Sequence, residues 1–361
     1  MKILHLIYDH IHNPWVGGGG AVRAYELYKR LSLRHDVTMV CGRYPGAQDY
    51  SEGNLKVRFA GSYKNNYVLS TFSYAAAAMG FLRRHSTDAD IAIEDFAPYN
   101  PVFSFMWNRN SILQLHQNEG FKHIKKYFIL GLPFMFIESQ YHKLFRNIVV
   151  ESDFNRIKFG VEGNIAVIPN GFNLELFSGT SSESDYFLFL GRLHINQKGL
   201  DILRDAFDLF AGEEKLVIAG GGKDNMLVRK LFSSQIHTGA VEMTGFVKGE
   251  TKFDLLRNCK IFIMPSRYEG QPLTLIEAAA CGKPLIISDI PELQYAVDAG
   301  FGISFKTGDV KDLAQKIKLL TENEPLRREM GQKAREYAKD YTWDKISLDY
   351  ERFLLNIIKA R

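Results

Sequence analysis

The chain of 361 residues is too long for one ordinary hydrophobic core and fits two domains of about 170 to 190 residues each. Its 46% hydrophobic and 24% charged residues are typical of a soluble globular protein, which excludes a disordered, collagen-like or coiled-coil chain. The net charge of +4 lies in residues 1–178, with 19 basic and 15 acidic side chains, and is too small to indicate nucleic-acid binding. Three widely spaced cysteines, Cys41, Cys259 and Cys281, offer no disulfide framework, so a reducing, cytoplasmic compartment is expected.

Two apolar stretches bear on targeting. The run in MKILHLIYDH ends at Asp9, which is too short for a signal peptide and predicts a buried first strand. The stretch from Asn65 to Leu82 carries no charge, but polar residues interrupt it, and a membrane-spanning helix needs about 20 mainly apolar residues. A packed helix is therefore predicted there.

Apolar runs of strand length alternate with helical patterns such as Ala21–Leu33 along the whole chain. The predicted strands of the first half are Ile3–Tyr8, Val37–Cys41, Ile91–Glu94, Ile112–His116 and Asn147–Glu151. Those of the second half are Tyr186–Gly191, Lys215–Ala219, Val241–Thr244, Ile261–Pro265 and Pro284–Ser288. Nearly continuous apolar strands separated by helices are typical of parallel sheets covered on both faces. The fold class is therefore α/β, with two doubly wound domains in tandem.

The domain boundary is predicted near Ile168-Pro169-Asn170-Gly171, where turn-forming residues follow a strand-like run. The segment from Trp343 to Lys359 is predicted to be a helix, because Ile346, Tyr350, Phe353, Leu354 and Ile357 recur at helical spacing.

A glycine run, Gly17 to Gly20, lies between the first predicted strand and the helix that follows it. Consecutive glycines let a ligand approach the backbone, and a helix N-terminus directs free N–H groups at an anion. The run does not spell the dinucleotide fingerprint, and Asp36, near the expected distance for a ribose-binding acid, opens the next strand. The alternatives are a phosphate-facing loop and a plain turn.

The segment RYEGQPLTLIEAAACGKPLI, from Arg267 to Ile286, follows an apolar strand and carries two carboxylates. Pro272 suits the first turn of a helix, whose free N–H groups at Leu273 and Thr274 are available to a phosphate. Glu269 in the loop and Glu277 on the helix are placed to accept hydrogen bonds from two parts of one sugar-containing ligand. The alternative, solvated surface acids, is disfavoured by the apolar helix around Glu277.

A Glu, seven residues and a second Glu, in the form EGQPLTLIEAAACG, resembles the signature of retaining glycosyltransferase family 4. The resemblance continues through GGGGAVRAYEL, LQLHQNEG, VIPNGFNLELF, GRLHINQKGLD and MTGFV. It implies the GT-B architecture, with two Rossmann-like domains facing across a cleft. The acceptor-binding domain would comprise residues 1–169 and 343–361, with the C-terminal helix crossing back to it, and the donor-binding domain residues 170–342.

The resemblance also implies roles for individual residues. Arg192 and Lys198 match the basic pair that neutralises the donor diphosphate as charge develops on it. Glu277 matches the acid that holds the ribose, and Glu269 the acid that contacts the donor sugar. The remaining matched positions are Gly19 and Gly20 at the phosphates, His116 facing the donor sugar, and Gly245, Phe246 and Val247 at the base.

Each of these positions also has a structural interpretation. Arg192 and Lys198 are alternatively surface charges, His116 a core histidine, and 245–247 a turn at a strand end. His194, in the loop of the basic pair, is a weak ligand candidate. Gln271 stands where family members often have an aromatic residue and Pro272 where they often have glycine, so Gln271 would add a hydrogen bond to the donor-sugar pocket.

The resemblance implies a retaining transfer from a nucleotide-diphosphate sugar, with neither metal nor cofactor. Asp88-Ala89-Asp90 spells the metal-binding DxD of another glycosyltransferase architecture, but it precedes a strand, and no cluster has convincing metal-ligand spacing. The alternatives are a GT-B phosphorylase, a sugar-nucleotide epimerase, a non-catalytic sugar-nucleotide binder and, less favoured, a nicotinamide-dependent oxidoreductase.

Residues 121–146 combine Lys122, Lys125, Lys126, Lys143 and Arg146 with an apolar run and a single acid. Basic residues beside aromatic ones are typical of segments that lie on an anionic membrane surface. Many members of the family glycosylate lipid-linked acceptors at the cytoplasmic face, so a glycan or lipid-linked acceptor, a cytoplasmic or peripheral membrane location, and a role in cell-surface polysaccharide or glycolipid synthesis are expected. The alternative is a core helix with solvated lysines.

Overall fold

The computed structural model describes residues 1–14, 18–64, 66–116, 131–178 and 183–360. The chain forms two compact units. Unit 1 comprises Met1–Asn170 and Trp343–Arg361, and unit 2 comprises Gly171–Thr342. The boundary predicted after Pro169 lies one residue before this division. Each unit has a mainly parallel sheet with helices, so the predicted α/β class with two Rossmann-like domains is confirmed.

Unit 1 is built on an eight-stranded sheet of order β3-β4-β2-β1-β5-β6-β7-β8. Its strands are β1 (Lys2–Ile7), β2 (Asp36–Gly42), β3 (Tyr50–Glu52), β4 (Leu55–Ala60), β5 (Ile91–Asp95), β6 (Ser111–Leu115), β7 (Asn147–Val150) and β8 (Asn164–Val167). Within the described residues, β3 is antiparallel to β4 and the other neighbouring pairs are parallel. Both β5 and β6 are buried along nearly their whole length, as strands covered on both faces should be.

Unit 2 has a six-stranded parallel sheet of order β11-β10-β9-β12-β13-β14. Its strands are β9 (Tyr186–Leu190), β10 (Lys215–Ala219), β11 (Val241–Gly245), β12 (Ile261–Met264), β13 (Leu285–Ser288) and β14 (Gly302–Phe305). Two apolar clusters pack on opposite faces of the sheet, because neighbouring residues of one strand, such as Phe262 and Ile263, belong to different clusters.

The described helices surround these sheets. They are α1 (Gly19–Leu31), α2 (Tyr67–His85), α3 (Gly131–Gln140), α4 (Asp153–Phe159), α5 (Glu175–Ser178), α6 (Ile195–Lys198), α7 (Leu200–Phe210), α8 (Asn225–Leu231), α9 (Ser233–His237), α10 (Gly249–Asn258), α11 (Leu273–Ala280), α12 (Gln294–Asp298), α13 (Val310–Glu322), α14 (Glu324–Ala338) and α15 (Trp343–Lys359). Both α2 and α15 were predicted from the sequence, and α15 has the predicted bounds.

The last helix, α15, packs against α1 in unit 1. Its predicted apolar face is buried at Ile346, Tyr350, Leu354 and Ile357, while Phe353 is half-buried. Ion pairs at the rim join Arg30 to Asp344 at 2.9 Å and Arg34 to Glu351 at 2.7 Å. The prediction that the C-terminal helix returns to the first domain is therefore confirmed.

A buried arginine of α1 fixes the end of the first long segment of unit 1. The Arg23 side chain is fully buried. Its guanidinium donates to the carbonyl oxygens of Ile168 and Pro169, both at 2.7 Å, and to Asn170 Oδ1 at 3.0 Å. These bonds hold the chain in unit 1 as far as Asn170, so the chain leaves unit 1 at the turn predicted from Pro169 and Asn170.

Candidate functional site

In unit 2 the order of strands reverses at β9, which has β10 on one side and β12 on the other. Loops at the carboxyl ends of parallel strands diverge at such a switch point, and ligands of doubly wound folds bind there. The loop after β9 carries Arg192 and Lys198, and the loop after β12 carries Glu269. Residues 71 positions apart in sequence thus meet at one edge of the sheet.

Lys198 and Glu269 form an ion pair at this edge, with Nζ and Oε1 2.5 Å apart. The exposed fraction of the side chain is 14% for Lys198 and 6% for Glu269. A second pair ties the same loops together, because Arg267 binds both carboxylate oxygens of Asp201, at 2.9 and 2.6 Å. One ammonium carries three donors, so the bond to Glu269 leaves Lys198 able to donate to a ligand.

Glycines let the loops at this edge approach each other. Gly199 has φ +63°, and a Cβ placed there would lie 1.9 Å from the carbonyl oxygen of Pro265. Gly220 has φ +143°, and its Cβ would lie 1.8 Å from the carbonyl oxygen of Gly191. The run Gly220–Gly222 was not singled out in the sequence, although three glycines after an apolar strand are the same signal as those after β1.

Arg192 is exposed, and no described residue pairs with its side chain. His194 instead serves the loop itself, since its Nδ1 accepts from the backbone N–H of Gln197 at 3.1 Å and caps α6. Burial, followed by the charge of Lys223, lowers the pKa of His194. In the structure, His194 is therefore a neutral side-chain cap of α6.

The N-terminus of α11 lies in the double-glutamate segment, and no side chain of the described residues caps it. Pro272 is the residue before the helix rather than its first residue. The N–H groups of Leu273 and Thr274 precede any acceptor in the helix, so they carry the partial positive charge of its N-terminus. Gln271 and Pro272 are half-buried beside them.

Glu277 lies one turn into α11 and is only 7% exposed. Its Oε1 accepts from Lys252 Nζ at 2.5 Å, which joins α11 to α10. Its Oε2 is buried and has no hydrogen-bond partner among the described residues. A buried carboxylate oxygen without a donor is costly, so this atom is expected to gain one from a bound ligand.

The third predicted element of this edge is 245–247, at the end of β11. Gly245 has φ +74°, and its carbonyl oxygen accepts from the N–H of Gly220 at 2.8 Å. Phe246 is 74% exposed, whereas Val247 packs against the core. This turn therefore adjoins the glycine run after β10 and presents an aromatic ring to solvent.

In unit 1 the strand order reverses at β1, which lies between β2 and β5. Gly19 and Gly20 are the first residues of α1, while Gly17 lies outside the described residues. The N–H of Gly18 donates to Asp9 Oδ2 at 3.3 Å. A Cβ on Gly20 would lie 3.8 Å from His116 Nε2, so the glycine turn and His116, at the end of β6, meet as predicted neighbours of one site would.

Both ring nitrogens of His116 face carboxylates. Nδ1 lies 2.5 Å from Glu151 Oε1, and Nε2 contacts Asp95 Oδ1. Burial alone favours the neutral ring, but the two carboxylates outweigh it and raise the pKa of His116 to about 10. At neutral pH this side chain is therefore an imidazolium with 23% of its surface exposed.

Asp95 and Glu151 were not predicted as site residues. Each lies at the carboxyl end of a predicted strand, β5 or β7, next to the predicted position of His116 on β6. Acidic residues that end neighbouring buried strands are the signal that would have found them, since such ends share one edge of the sheet.

Three acids considered in the sequence lie elsewhere. Asp36 is the first residue of β2, and Asp88 and Asp90 precede β5. All three are thus at the amino edge of the sheet, opposite His116. Asp90 Oδ2 accepts from the backbone N–H of Lys2 at 2.8 Å. In the part of the chain that the structure describes, no group of three or more His, Cys, Asp or Glu side chains is arranged so that it could hold a metal ion.

The basic segment 121–146 is described only from residue 131. Lys122, Lys125 and Lys126 lie outside the described residues, as do the last four residues of LQLHQNEG. The described part begins with α3, on which Phe136 is 66% exposed. Of the helices that can be described, none is long and apolar enough to span a membrane.

Family models match both halves of the chain. Residues 17–176 match the model described as Glycosyltransferase Family 4, and residues 175–337 match that described as Glycosyl transferases group 1. The two matches together extend over the glycine turn, His116, the basic pair and the double-glutamate segment.

Curated proteins give the same result. The chain is 31% identical, over 96% of each sequence, to an uncharacterized glycosyltransferase of Methanocaldococcus jannaschii. It is 29% identical over 242 residues to the N,N'-diacetylbacillosaminyl-diphospho-undecaprenol alpha-1,3-N-acetylgalactosaminyltransferase of Campylobacter jejuni, a match that covers 63% of this chain and 61% of that protein.

Solved structures share the fold. Sucrose-phosphate synthase from Thermosynechococcus elongatus matches with a TM-score of 0.83 at 18% identity, over 100% of both chains. Anabaena HepE in complex with UDP and glucose matches with a TM-score of 0.76 at 16% identity, over 99% of this chain and 100% of that one. At such identities the likeness shows the fold alone, which is that of GT-B glycosyltransferases.

Proposed function

The chain belongs to glycosyltransferase family 4, and on this premise we propose that it is a retaining, metal-independent transferase that uses a nucleotide-diphosphate sugar. The acceptor is a glycan or a lipid-linked glycan of cell-surface polysaccharide or glycolipid synthesis. Unit 2 binds the donor and unit 1 the acceptor. The observation that carries the proposal is the edge of unit 2, where Lys198, Glu269, an uncapped helix N-terminus and a buried unpaired oxygen of Glu277 occur together.

The donor is held at both ends of its diphosphate. Glu277 Oε2 accepts from a ribose hydroxyl, which satisfies its missing hydrogen bond, and the turn at 245–247 contacts the base. Arg192, Lys198 and the N–H groups of Leu273 and Thr274 bind the phosphates. Glu269, held by Lys198, accepts from the donor sugar, with Gln271 as a further hydrogen-bonding group of the same pocket.

The cations act on the leaving group. As the bond between the anomeric carbon and the phosphate oxygen breaks, negative charge grows on the diphosphate and positive charge on the sugar ring. Fixed donors aimed at that developing charge lower the barrier. Two side-chain cations and a helix N-terminus supply the charge that a metal ion supplies in other phosphate chemistry.

The stereochemistry follows from attack on the front face. The acceptor hydroxyl forms its bond to the anomeric carbon on the side from which the diphosphate leaves, and its proton passes to the departing phosphate oxygen. Both carboxylates of the double-glutamate segment are paired with a cation, Glu269 with Lys198 and Glu277 with Lys252. That pairing favours the front-face route over a covalent sugar–enzyme intermediate.

The choice of substrates draws on the relatives. HepE was solved with UDP and glucose, which supports a nucleotide-sugar donor. The Campylobacter relative is named for a diphospho-undecaprenol acceptor, and a Mycobacterium leprae relative, 26% identical, is a phosphatidyl-myo-inositol mannosyltransferase. Both names support a lipid-linked acceptor and hence a protein at the cytoplasmic membrane face.

A panel of nucleotide sugars tests the activity. Hydrolysis or transfer with one of them should release the nucleoside diphosphate, continue in excess chelator, and give a product with the donor's anomeric configuration by NMR. An inverted product would contradict the retaining mechanism, and loss of activity in chelator would contradict metal independence. Release of a sugar 1-phosphate that depends on added phosphate would identify a phosphorylase instead.

Replacing Gly20 with alanine tests the glycine turn. Its φ is not positive, and among the described residues only His116 lies within 4 Å of the added Cβ, at 3.8 Å, so the fold tolerates the methyl group. Alanine should stabilise α1 by about 0.5 to 1 kcal/mol yet lower the transfer rate, because the backbone no longer meets the ligand. Gly80→Ala in α2, where nothing lies within 4 Å, is the matched control and should change only the melting temperature. Full activity of Gly20→Ala would remove the turn from the site.

Replacing Glu277 with alanine tests the ribose contact. Affinity for the bare nucleoside diphosphate should fall by about 1 to 3 kcal/mol, the cost of leaving polar partners unpaired. Calorimetry measures the change, with Glu242→Ala, an exposed acid on β11, as the control. Equal affinities of the Glu277 variant and the unaltered protein would show that this carboxylate does not bind the nucleotide.

Sedimentation with lipid vesicles tests the membrane association. The protein should pellet with anionic vesicles at low salt and less so at high salt, because the attraction is screened. Changing Lys122, Lys125 and Lys126 to glutamate should abolish the binding. A protein that stays in the supernatant at every lipid composition would favour a soluble acceptor.

A further inference from the structure

His116 has a carboxylate at each ring nitrogen, Glu151 at Nδ1 and Asp95 at Nε2. A neutral imidazole has one N–H donor and one lone pair, whereas the protonated ring has two donors. With a carboxylate on both sides, a neutral ring would direct one lone pair at a negative oxygen. When both carboxylates are ionised, these two contacts are satisfied only if both nitrogens are protonated.

Both carboxylates are buried, and Asp95 is held as an anion. The Asp95 and Glu151 side chains are 7% and 5% exposed. Gln114 Nε2 donates to Asp95 Oδ2 at 3.1 Å, and His5 Nε2 lies 3.3 Å from the same oxygen. Burial opposes ionisation of Asp95, but the adjacent His116 outweighs it and holds the pKa of Asp95 well below its usual range.

Tyrosine hydroxyls hold His5 and Gln114, the two residues beside Asp95. The hydroxyl of Tyr28 lies 2.8 Å from His5 Nδ1, and the hydroxyl of Tyr350 donates to Gln114 Oε1 at 3.2 Å. The cluster thus extends from the carboxyl edge of the sheet to α1 and α15. Each member is held by a neighbour, so the ring of His116 has one orientation beside Gly20.

We propose that Asp95 and Glu151 are positioning residues that keep His116 a fixed imidazolium beside the Gly19–Gly20 turn, so that the site contains a permanent cation. The proposal rests on the proposed function in that the family resemblance assigns His116 to the donor sugar. Because both of its N–H groups are engaged by carboxylates, His116 does not act as a general base.

The ionisable groups around His116 come from five strands and helices of the described chain. Asp95 on β5 and Glu151 after β7 face the ring, and His5 on β1, Tyr28 on α1 and Tyr350 on α15 lie behind Asp95. With a pKa of about 10 the proton stays on His116 across neutral pH. Its contribution to stability is complete below the ordinary histidine value of about 6.5 and is lost as the pH rises through about 10.

Nitrogen-15 NMR of the histidine rings tests the protonation state without substrate. The His116 signals, assigned by their loss in His116→Gln, should show two protonated nitrogens from pH 6 to 9. Glu151→Gln keeps the shape of the side chain and removes its charge, so the His116 pKa should fall by about 1 to 3 units. Glu94→Gln, which removes a buried carboxyl on β5 that contacts Tyr141 instead, should leave the His116 titration unchanged.

The pH dependence of the transfer rate tests the role. The kcat of Glu151→Gln should fall as the pH rises through the lowered pKa of His116 in this variant. The unaltered enzyme should show no such fall in the same pH range. Glu151→Asp, which restores the charge, should remove the fall. A purely structural role for Glu151 would change the rate equally at all pH values and would overturn the proposal.

The positioning role of Asp95 and Glu151 and the proposed function would be contradicted by different results. A His116 ring that titrates near pH 6.5 in the unaltered protein, or that has one protonated nitrogen at pH 7, overturns the positioning role whatever the enzyme's activity. Absence of turnover with every nucleotide sugar overturns the proposed function, while the NMR result still decides the state of His116.

Discussion

Replacing Arg192 or Lys198 with alanine is expected to lower the transfer rate by about 100-fold, the usual effect of losing one donor that stabilises transition-state charge. Both residues follow β9 at the switch point of the unit 2 sheet, where the leaving diphosphate is proposed to bind. Single-turnover rates with saturating donor measure the effect, since it should appear in kcat more than in KM.

The two variants should differ in stability. Arg192 is exposed and unpaired within the described chain, so its loss should leave the melting temperature unchanged. Loss of Lys198 leaves the buried Glu269 carboxylate without its cation, which should cost about 1 to 3 kcal/mol. The double variant Lys198→Ala/Glu269→Gln should recover that stability but not the rate.

An exposed arginine outside the site gives the control. Arg229→Ala on α8 removes the same charge from unit 2 and should transfer sugar at the normal rate. If Arg192→Ala and Arg229→Ala were equally active, the assignment of Arg192 to the phosphates would be wrong.

Replacing Gly199 with alanine should destabilise unit 2 by about 2 to 5 kcal/mol. The left-handed backbone at φ +63° costs any residue with a Cβ about 1 to 2 kcal/mol. The methyl group would also lie 1.9 Å from the carbonyl oxygen of Pro265, so the loop has to move, and such overpacking costs about 1 to 3 kcal/mol. Urea unfolding measures the sum.

A glycine with the same backbone conformation and open space separates the two causes. Gly249 has φ +56° and nothing within 4 Å of an added Cβ, so Gly249→Ala should show the conformational cost alone, about 1 to 2 kcal/mol. Equal losses at the two positions would mean that the contact with Pro265 contributes nothing. The Gly199 variant should also lose activity, because Lys198 precedes it.

The sequence predicted the central strands well because each is an apolar run buried on both faces. It missed β4, whose residues alternate between buried and exposed as LKVRFA, and the short β3 that pairs with it near the edge of the sheet. Alternation with period two is the pattern of a strand with one covered face, and a search for continuous apolar runs passes over it.

The sequence predicted the candidate site residues that lie close together in one segment of the chain. Glu269, Leu273, Thr274 and Glu277 share the loop and first turns that follow β12, so their spacing indicates a ligand. The two carboxylates that contact His116 were not predictable in that way, because Asp95 and Glu151 lie 21 and 35 positions from it in sequence. Only the parallel pairing of β5, β6 and β7 brings the three together.

The return of α15 to unit 1 has a consequence for synthesis on the ribosome. The first 170 residues emerge without the helix that covers α1, and Tyr350 of that helix bonds to Gln114 in the centre of the unit. Unit 2, which is continuous in sequence, can complete its own sheet while the ribosome is still translating the chain. Unit 2 is therefore expected to complete its sheet before unit 1, which began to form first, gains α15.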